Sequence, residues 1–119
     1  MKKGPAHSYQ NLDVWKKSIE LVECVYDITK KLPIEERYAL SDQLRRAVVS
    51  VPSNIAEGQK RMSNKDTVNF CGISLGSLAE VETQLIIVNR IYKIDVANVL
   101  ESCETISRML HALIRSLRA

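Results

Sequence analysis

The stretch Val96-Ala97-Asn98-Val99-Leu100-Glu101-Ser102-Cys103-Glu104-Thr105-Ile106-Ser107-Arg108-Met109-Leu110-His111-Ala112-Leu113-Ile114-Arg115-Ser116-Leu117 decides the fold. Val96, Val99, Cys103, Ile106, Leu110, Leu113 and Leu117 recur at steps of three and four, which puts them on one face of an α-helix. Asp95 is a natural N-cap, and Arg115 and Arg118 suit the negative end of the helix dipole. Three earlier stretches share the period. The third segment opens on Ser63 or Asn64 and carries Val68, Cys71, Leu75, Leu78 and Leu85. The second begins near Pro33, with Glu35 and Glu36 in its first turn, and carries Leu40, Leu44, Ala47, Val48, Val51 and Ile55. The first runs from about Leu12 to Lys31, with Leu12, Trp15, Ile19, Val22, Tyr26 and Thr29 as its row. Breaks at Leu32-Pro33, Met62-Ser63-Asn64 and Lys93-Ile94-Asp95 separate the four, and short connections favour antiparallel neighbours. The expectation is an all-α, antiparallel up-down-up-down four-helix bundle. Pro52 removes a backbone donor and should kink the second helix. The chain reads as one domain over residues 1–119, with 1–10 as a flexible tail.

Composition agrees. Of 119 residues, 45% are apolar, 26% charged and only 5% aromatic, with four glycines and three prolines. That poverty of aromatics and turn residues disfavours a sheet protein. The net charge of +3 is too small to be informative as a sum, so the distribution of charge matters more. No apolar run reads as a membrane span, and no secretory signal follows Met1-Lys2-Lys3. Cys24, Cys71 and Cys103 are scattered and odd in number, so neither a disulfide framework nor a zinc site is expected. The location they suggest is the cytoplasm.

Some polar residues fit a plain bundle poorly. Gln43, Arg46, Ser50, Ser53, Asn54 and Glu57 form a strip beside the second helix's apolar row. Serine and asparagine are poor helix-interior residues, so the strip suggests a seam between helices or subunits rather than a solvated face. Glu82 interrupts the third helix's apolar row and calls for a cationic partner, Arg45 or Arg46. Glu80 and Glu82, two apart, point to different faces and are not a catalytic pair. Gly72 and Gly76 share a face with Asn69, Thr83 and Ile87. Two mid-helix glycines suggest a compensating close contact, within the bundle or between subunits. Ser50, Ser53 and Ser77 have no histidine nearby in sequence, and His7 and His111 lack metal-ligand spacing. No catalytic residue, metal or cofactor is expected.

The run from Gln43 to Gly58, containing Gln43-Leu44-Arg45-Arg46-Ala47 and Pro52-Ser53-Asn54-Ile55-Ala56-Glu57-Gly58, is distinctive. So is Gly76-Ser77-Leu78-Ala79-Glu80-Val81-Glu82-Thr83-Gln84-Leu85. With Leu12-Asp13-Val14-Trp15-Lys16 and the Tyr26, Leu32-Pro33, Glu36 pattern, the chain resembles, from about Tyr9 to Leu117, the four-helix-bundle family encoded in intervening sequences of bacterial 23S ribosomal RNA genes. The resemblance implies a homopentamer. It also implies kinship with accessory proteins of diversity-generating retroelements, which bind nucleic acid and a reverse transcriptase. Arg45, Arg46, Ser50, Pro52, Asn54, Glu57, Gly58, Gly76, Ser77, Glu80 and Glu82 match family-typical structural positions. Leu75 stands where the family often has a basic or polar residue, and Cys71 where leucine is usual.

In an up-down bundle the N-terminus, the loop after the second helix and the end of the fourth helix share one end. Lys2, Lys3, Lys60, Arg61, Lys65, Arg115 and Arg118 would gather there. Such an array suits the phosphate backbone of RNA or DNA through counterion release. No aromatic platform for base stacking is visible. Two readings follow: an oligomeric nucleic-acid-associated bundle, and a protein-interaction adaptor without nucleic-acid affinity. In the second, the polar strip and the Gly72–Gly76 face serve assembly.

Overall fold

The computed structural model describes residues 8–119. Four α-helices lie among them: α1 (Asp13–Thr29), α2 (Leu40–Gln59), α3 (Asn64–Tyr92) and α4 (Ala97–Arg118). Short 3-10 turns at Tyr9–Asn11 and Ile34–Glu36 precede α1 and α2. Each helix packs on its neighbours in chain order, and α1 closes against α4, so α1 and α3 stand at opposite corners. Of the stretch expected as a tail, residues 1–7 lie outside the described residues. Tyr9 packs its ring edge-on against Trp15 at 5.3 Å.

The core is aliphatic. Leu21, Val25, Leu44, Val48, Val51, Ile55, Leu78, Val81, Leu85, Ile106 and Leu110 are essentially inaccessible. Of the row expected for α4, Val96, Cys103, Ile106 and Leu110 are buried and Ile114 joins them, while Val99, Leu113 and Leu117 are half-buried. On α1 the buried row is a different one. Val14, Ser18, Leu21, Val25 and Ile28 face the core, joined from the expected row only by Thr29, while Leu12, Trp15, Val22 and Tyr26 lie at its margin. Ser18 is tolerated inside because its hydroxyl donates to the Val14 carbonyl at 2.7 Å.

Three local expectations are corrected. The second helix starts at Leu40, not at Pro33. Pro33 instead precedes the Ile34–Glu36 turn, and the Glu36 carboxylate accepts from the Leu40 amide, capping α2 from outside. The N-cap of α4 is Val96, although Asp95 Oδ1 still accepts from the Ala97 amide at 3.0 Å. Finally, α3 is long and apolar enough, by length and composition, to cross a bilayer, contrary to the expected lack of such a run. Buried core helices pass the same test, and one side of α3 is packed inside the bundle.

The pairing of α2 with α3 is held by hydroxyls. Thr67 Oγ1 donates to the Gly58 carbonyl at 2.7 Å, and Ser74 Oγ to the Val51 carbonyl at 2.9 Å. Ser50 and Ser77 share a hydrogen bond of 2.8 Å. Residue numbers fall on one helix as they rise on the other, so the two run in opposite directions. α2 is helical through Pro52, and Ser53 and Asn54 side chains bond back to the Val49 and Ser50 carbonyls.

Candidate nucleic-acid interface and helix seams

At one end, the residues 60–63 join α2 to α3. Ser63 starts α3 with its hydroxyl accepting from the Asp66 amide at 3.2 Å. Asn64 Nδ2 donates to the Leu117 carbonyl at 3.4 Å, tying the start of α3 to the end of α4. Lys65 and Arg118 therefore line one cleft of about 360 Å³, with Val68 and Asn69 in its wall. Lys60 lies 5.9 Å over the Tyr9 ring, which brings the chain's beginning to this end. Arg61 stacks on Phe70 at 4.7 Å and pairs with Glu57 at 3.1 Å. Arg115 is exposed one turn before Arg118. Among the described residues no carboxylate pairs with Lys60, Lys65, Arg115 or Arg118. Lys2, Lys3 and His7 lie outside the described residues.

The polar strip of α2 divides. Gln43, Arg46 and Ser50 line a cleft of about 350 Å³ with Ser77, Glu80 and Gln84 of α3. Asn54 donates to Ser50 at 2.8 Å, and Arg46 pairs with Asp42 at 2.9 Å. Ser53 borders a different groove, about 300 Å³, with Trp15, Ile19, Val22 and Val49 in its wall. Arg45 turns toward α1: its Nε donates to Thr29 Oγ1 at 3.2 Å, and its guanidinium lies 5.1 Å over Tyr26.

Glu82 therefore has neither expected partner. It faces α4, where burial first and the Glu104 carboxylate second push its carboxyl above the usual range. Burial, with Glu82 nearby, pushes the neighbouring Cys103 thiol up to about 12. The cysteines divide likewise: Cys71 and Cys103 are buried, whereas Cys24 is exposed. Among the described residues no group of three His, Cys, Asp or Glu side chains is placed to hold a metal.

Gly72 and Gly76 meet nothing within the bundle: a Cβ on either would find open space to 4 Å. Of the two places expected for a compensating contact, within the bundle or between subunits, the first holds none. On this side of α3, Ile73 (50%) stands beside them, and Ile86 (43%), Ile87 (38%) and Ile91 (61%) are exposed about three to four turns farther along. The close approach belongs to Gly58, where a Cβ would lie 2.9 Å from Phe70 Cβ and 3.3 Å from the Thr67 carbonyl oxygen. Leu75 packs against the core.

Sequence reasoning missed Ser41, Thr67 and Ser74, buried hydroxyls that no apolar pattern marks. It also missed Ile73, Ile86 and Ile91, and named Ile87 only as part of the glycine face, since a period search follows one face of a helix and α3 has two.

The family model described as 23S rRNA-intervening sequence protein matches residues 10–112. Among solved structures, the chain is similar to a Bacteroides thetaiotaomicron protein described as one of unknown function from the S23 ribosomal protein family. The two share 25% identity, with a TM-score of 0.77, over 85% of this chain and 97% of that one. No protein of curated function matches the chain.

Proposed function

The chain belongs to the 23S rRNA-intervening sequence protein family, and from that premise we propose that it is a non-catalytic, homo-oligomeric bundle that holds RNA or DNA by the phosphate backbone at its basic end. The observation that carries this reading is the cleft shared by Lys65 and Arg118, with Lys60 and Arg115 nearby and no carboxylate pairing with any of the four among the described residues. Unneutralised, exposed cations attract phosphate without reading bases, so the binding is sequence-tolerant and strongly salt-dependent. Free thiols and the absence of disulfides among the described residues support the cytoplasm as its location.

Assembly, a pentamer by family resemblance, is supported by two apolar surfaces on different sides of the chain. One is the outward isoleucine ridge near the end of α3, Ile86, Ile87 and Ile91, with Gly72 and Gly76 leaving room for close approach farther toward its start. The other is the groove of Trp15, Ile19, Val22 and Val49 between α1 and α2. A ridge and a groove on one chain suit a head-to-tail contact that closes into a ring. Gln84 Oε1, buried at the α2–α3 cleft without a hydrogen-bond partner among the described residues, is an acceptor that a neighbouring subunit could satisfy.

Binding is tested with the Lys65→Glu/Arg118→Glu variant on mixed RNA across a salt series. Retention should fall, and the salt slope should drop by about 1 for each phosphate that the variant no longer neutralises. An unchanged slope in a folded variant would count against the site. Light-scattering mass on a sizing column, with and without RNA, tests the assembly. The exposed isoleucines also favour a second reading, an adaptor that docks a different protein on α3. A monomer indifferent to RNA would support that reading over the first.

A further inference from the structure

We propose that the cleft between the end of α1 and the start of α2 is a binding site for one phosphate-type oxyanion. It lies at the end of the bundle away from Lys65 and Arg118. Ser41 and Lys60 are separated by about 28 Å along α2 at 1.5 Å per residue. The site therefore stands apart from the proposed backbone-binding end.

Thr29, Leu32, Pro33, Arg37, Ser41 and Arg45 line this cleft, whose volume is about 240 Å³. That is smaller than the roughly 300–1,000 Å³ of sites that enclose a whole small molecule, so it suits a single group. Two guanidinium groups border it, and among the described residues neither Arg37 nor Arg45 pairs with a carboxylate. Arg45 is half-buried and held in place. Its Nε is engaged by Thr29 Oγ1 and its plane lies over Tyr26, so the terminal amino groups are left to donate. Thr29 is itself anchored through its own donation to the Tyr26 carbonyl at 2.8 Å.

Ser41 supplies an independent indication. It is only 5% exposed and lines the cleft, yet its hydroxyl has no hydrogen-bond partner among the described residues. The hydroxyl oxygen itself stays open to the cleft, so a ligand there would take the place of water. Ser41 is also the second residue of α2, beside the Leu40 amide that the Glu36 carboxylate already caps. The nearby carboxylates have partners of their own, Glu36 at the start of α2 itself. Glu36 accepts from the Leu40 amide and from the Tyr92 hydroxyl, and Asp42 is paired with Arg46. Glu35 is exposed on the preceding turn. Two unneutralised guanidinium groups and an unpartnered hydroxyl form a donor set for a tetrahedral oxyanion.

The test is a titration of the isotope-labelled full chain with inorganic phosphate, followed by NMR at the Ser41 amide and the Arg45 Nε–H. Saturable shifts at both are expected. Arg45→Gln should weaken binding about tenfold or more, the loss of one charge-assisted hydrogen bond. Arg37→Gln alters an exposed side chain, leaves the fold intact and should weaken binding too. Lys65→Glu/Arg118→Glu should leave this titration unchanged. A response that does not saturate, or that is the same in Arg37→Gln as in the parent chain, would overturn the proposal. Repeating the titration with 5′-phosphorylated and 5′-hydroxyl oligonucleotides identifies the source. Tighter binding of the phosphorylated strand assigns the site to a nucleic-acid end, and equal weak binding of both beside a phosphate response assigns it to free phosphate.

Discussion

Helices α3 and α4 pack side by side, yet they spend their apolar residues differently. On α4 the inward row Cys103, Ile106, Leu110 and Ile114 is buried, and the outward residues Glu101, Glu104, Arg108 and Arg115 are charged. On α3 an inward row of Cys71, Leu78, Val81, Leu85 and Val88 is matched by an outward one of Ile73, Ile86, Ile87 and Ile91. One helix finds its environment within its own chain. The other is apolar on both sides, and only one side is covered by the fold. An amphipathic pattern specifies a bundle, whereas a second apolar face is a demand that the monomer does not meet.

The largest test of this contrast compares leucine with isoleucine. Leu85→Ala should cost about 2–5 kcal/mol in denaturant unfolding, because it opens a cavity in the core. Ile87→Ala should change monomer stability by no more than about 0.5 kcal/mol but lower the mass of the assembly. Equal losses of stability would mean that the outward face is already packed in the monomer.

The glycines sharpen the same comparison at a smaller scale. Gly58→Ala should destabilise by about 1–3 kcal/mol, since its Cβ collides with Phe70 and the Thr67 carbonyl. Gly72→Ala and Gly76→Ala meet open space and should each stabilise the monomer by roughly 0.5–1 kcal/mol. Unfolding measured at low and high protein concentration would reveal a subunit seam as a gain that disappears, or reverses, where the assembly forms.

The smallest expected effect lies where α3 and α4 meet. Burial and Glu104 raise the Glu82 carboxyl above its ordinary value of 4.5. The folded chain then holds this proton more tightly than the unfolded chain. Stability attributable to Glu82 falls as pH rises from the unfolded value through the raised one, and the cost persists above it. Glu82→Gln should therefore raise the melting temperature at pH 7 by about 1–3 °C, with the gain vanishing below pH 4. A gain independent of pH would point to packing instead of charge.

How much of this was legible in the sequence depends on how many elements build each feature. The α4 row could be read because a single period specifies it. On α1 the apolar residues cover a wide arc, and the large side chains Trp15 and Tyr26 drew the reading to the margin while Ser18 held a core position. Glu82 was assigned to the wrong neighbour because its position along α3 fits contacts to two helices and spacing does not choose between them. At the basic end, Lys65 and Arg118 were named together, but only the Asn64 to Leu117 hydrogen bond explains how one cleft joins them. The Arg37, Ser41 and Arg45 cleft was invisible, since it draws on α1, a turn and α2, and no local pattern spans all three.

The hydroxyl-bonded pairing of α2 and α3 has a consequence for how the chain comes together. Only residues 60–63 separate these helices, so bringing them face to face closes a short loop and sacrifices little chain entropy. Closing α1 onto α4 joins the two ends of the sequence and costs more. The link between α3 and α4, residues 93–96, is equally short, so loop length favours both hairpins alike, and the interhelical hydroxyl bonds are what set the α2–α3 pair apart.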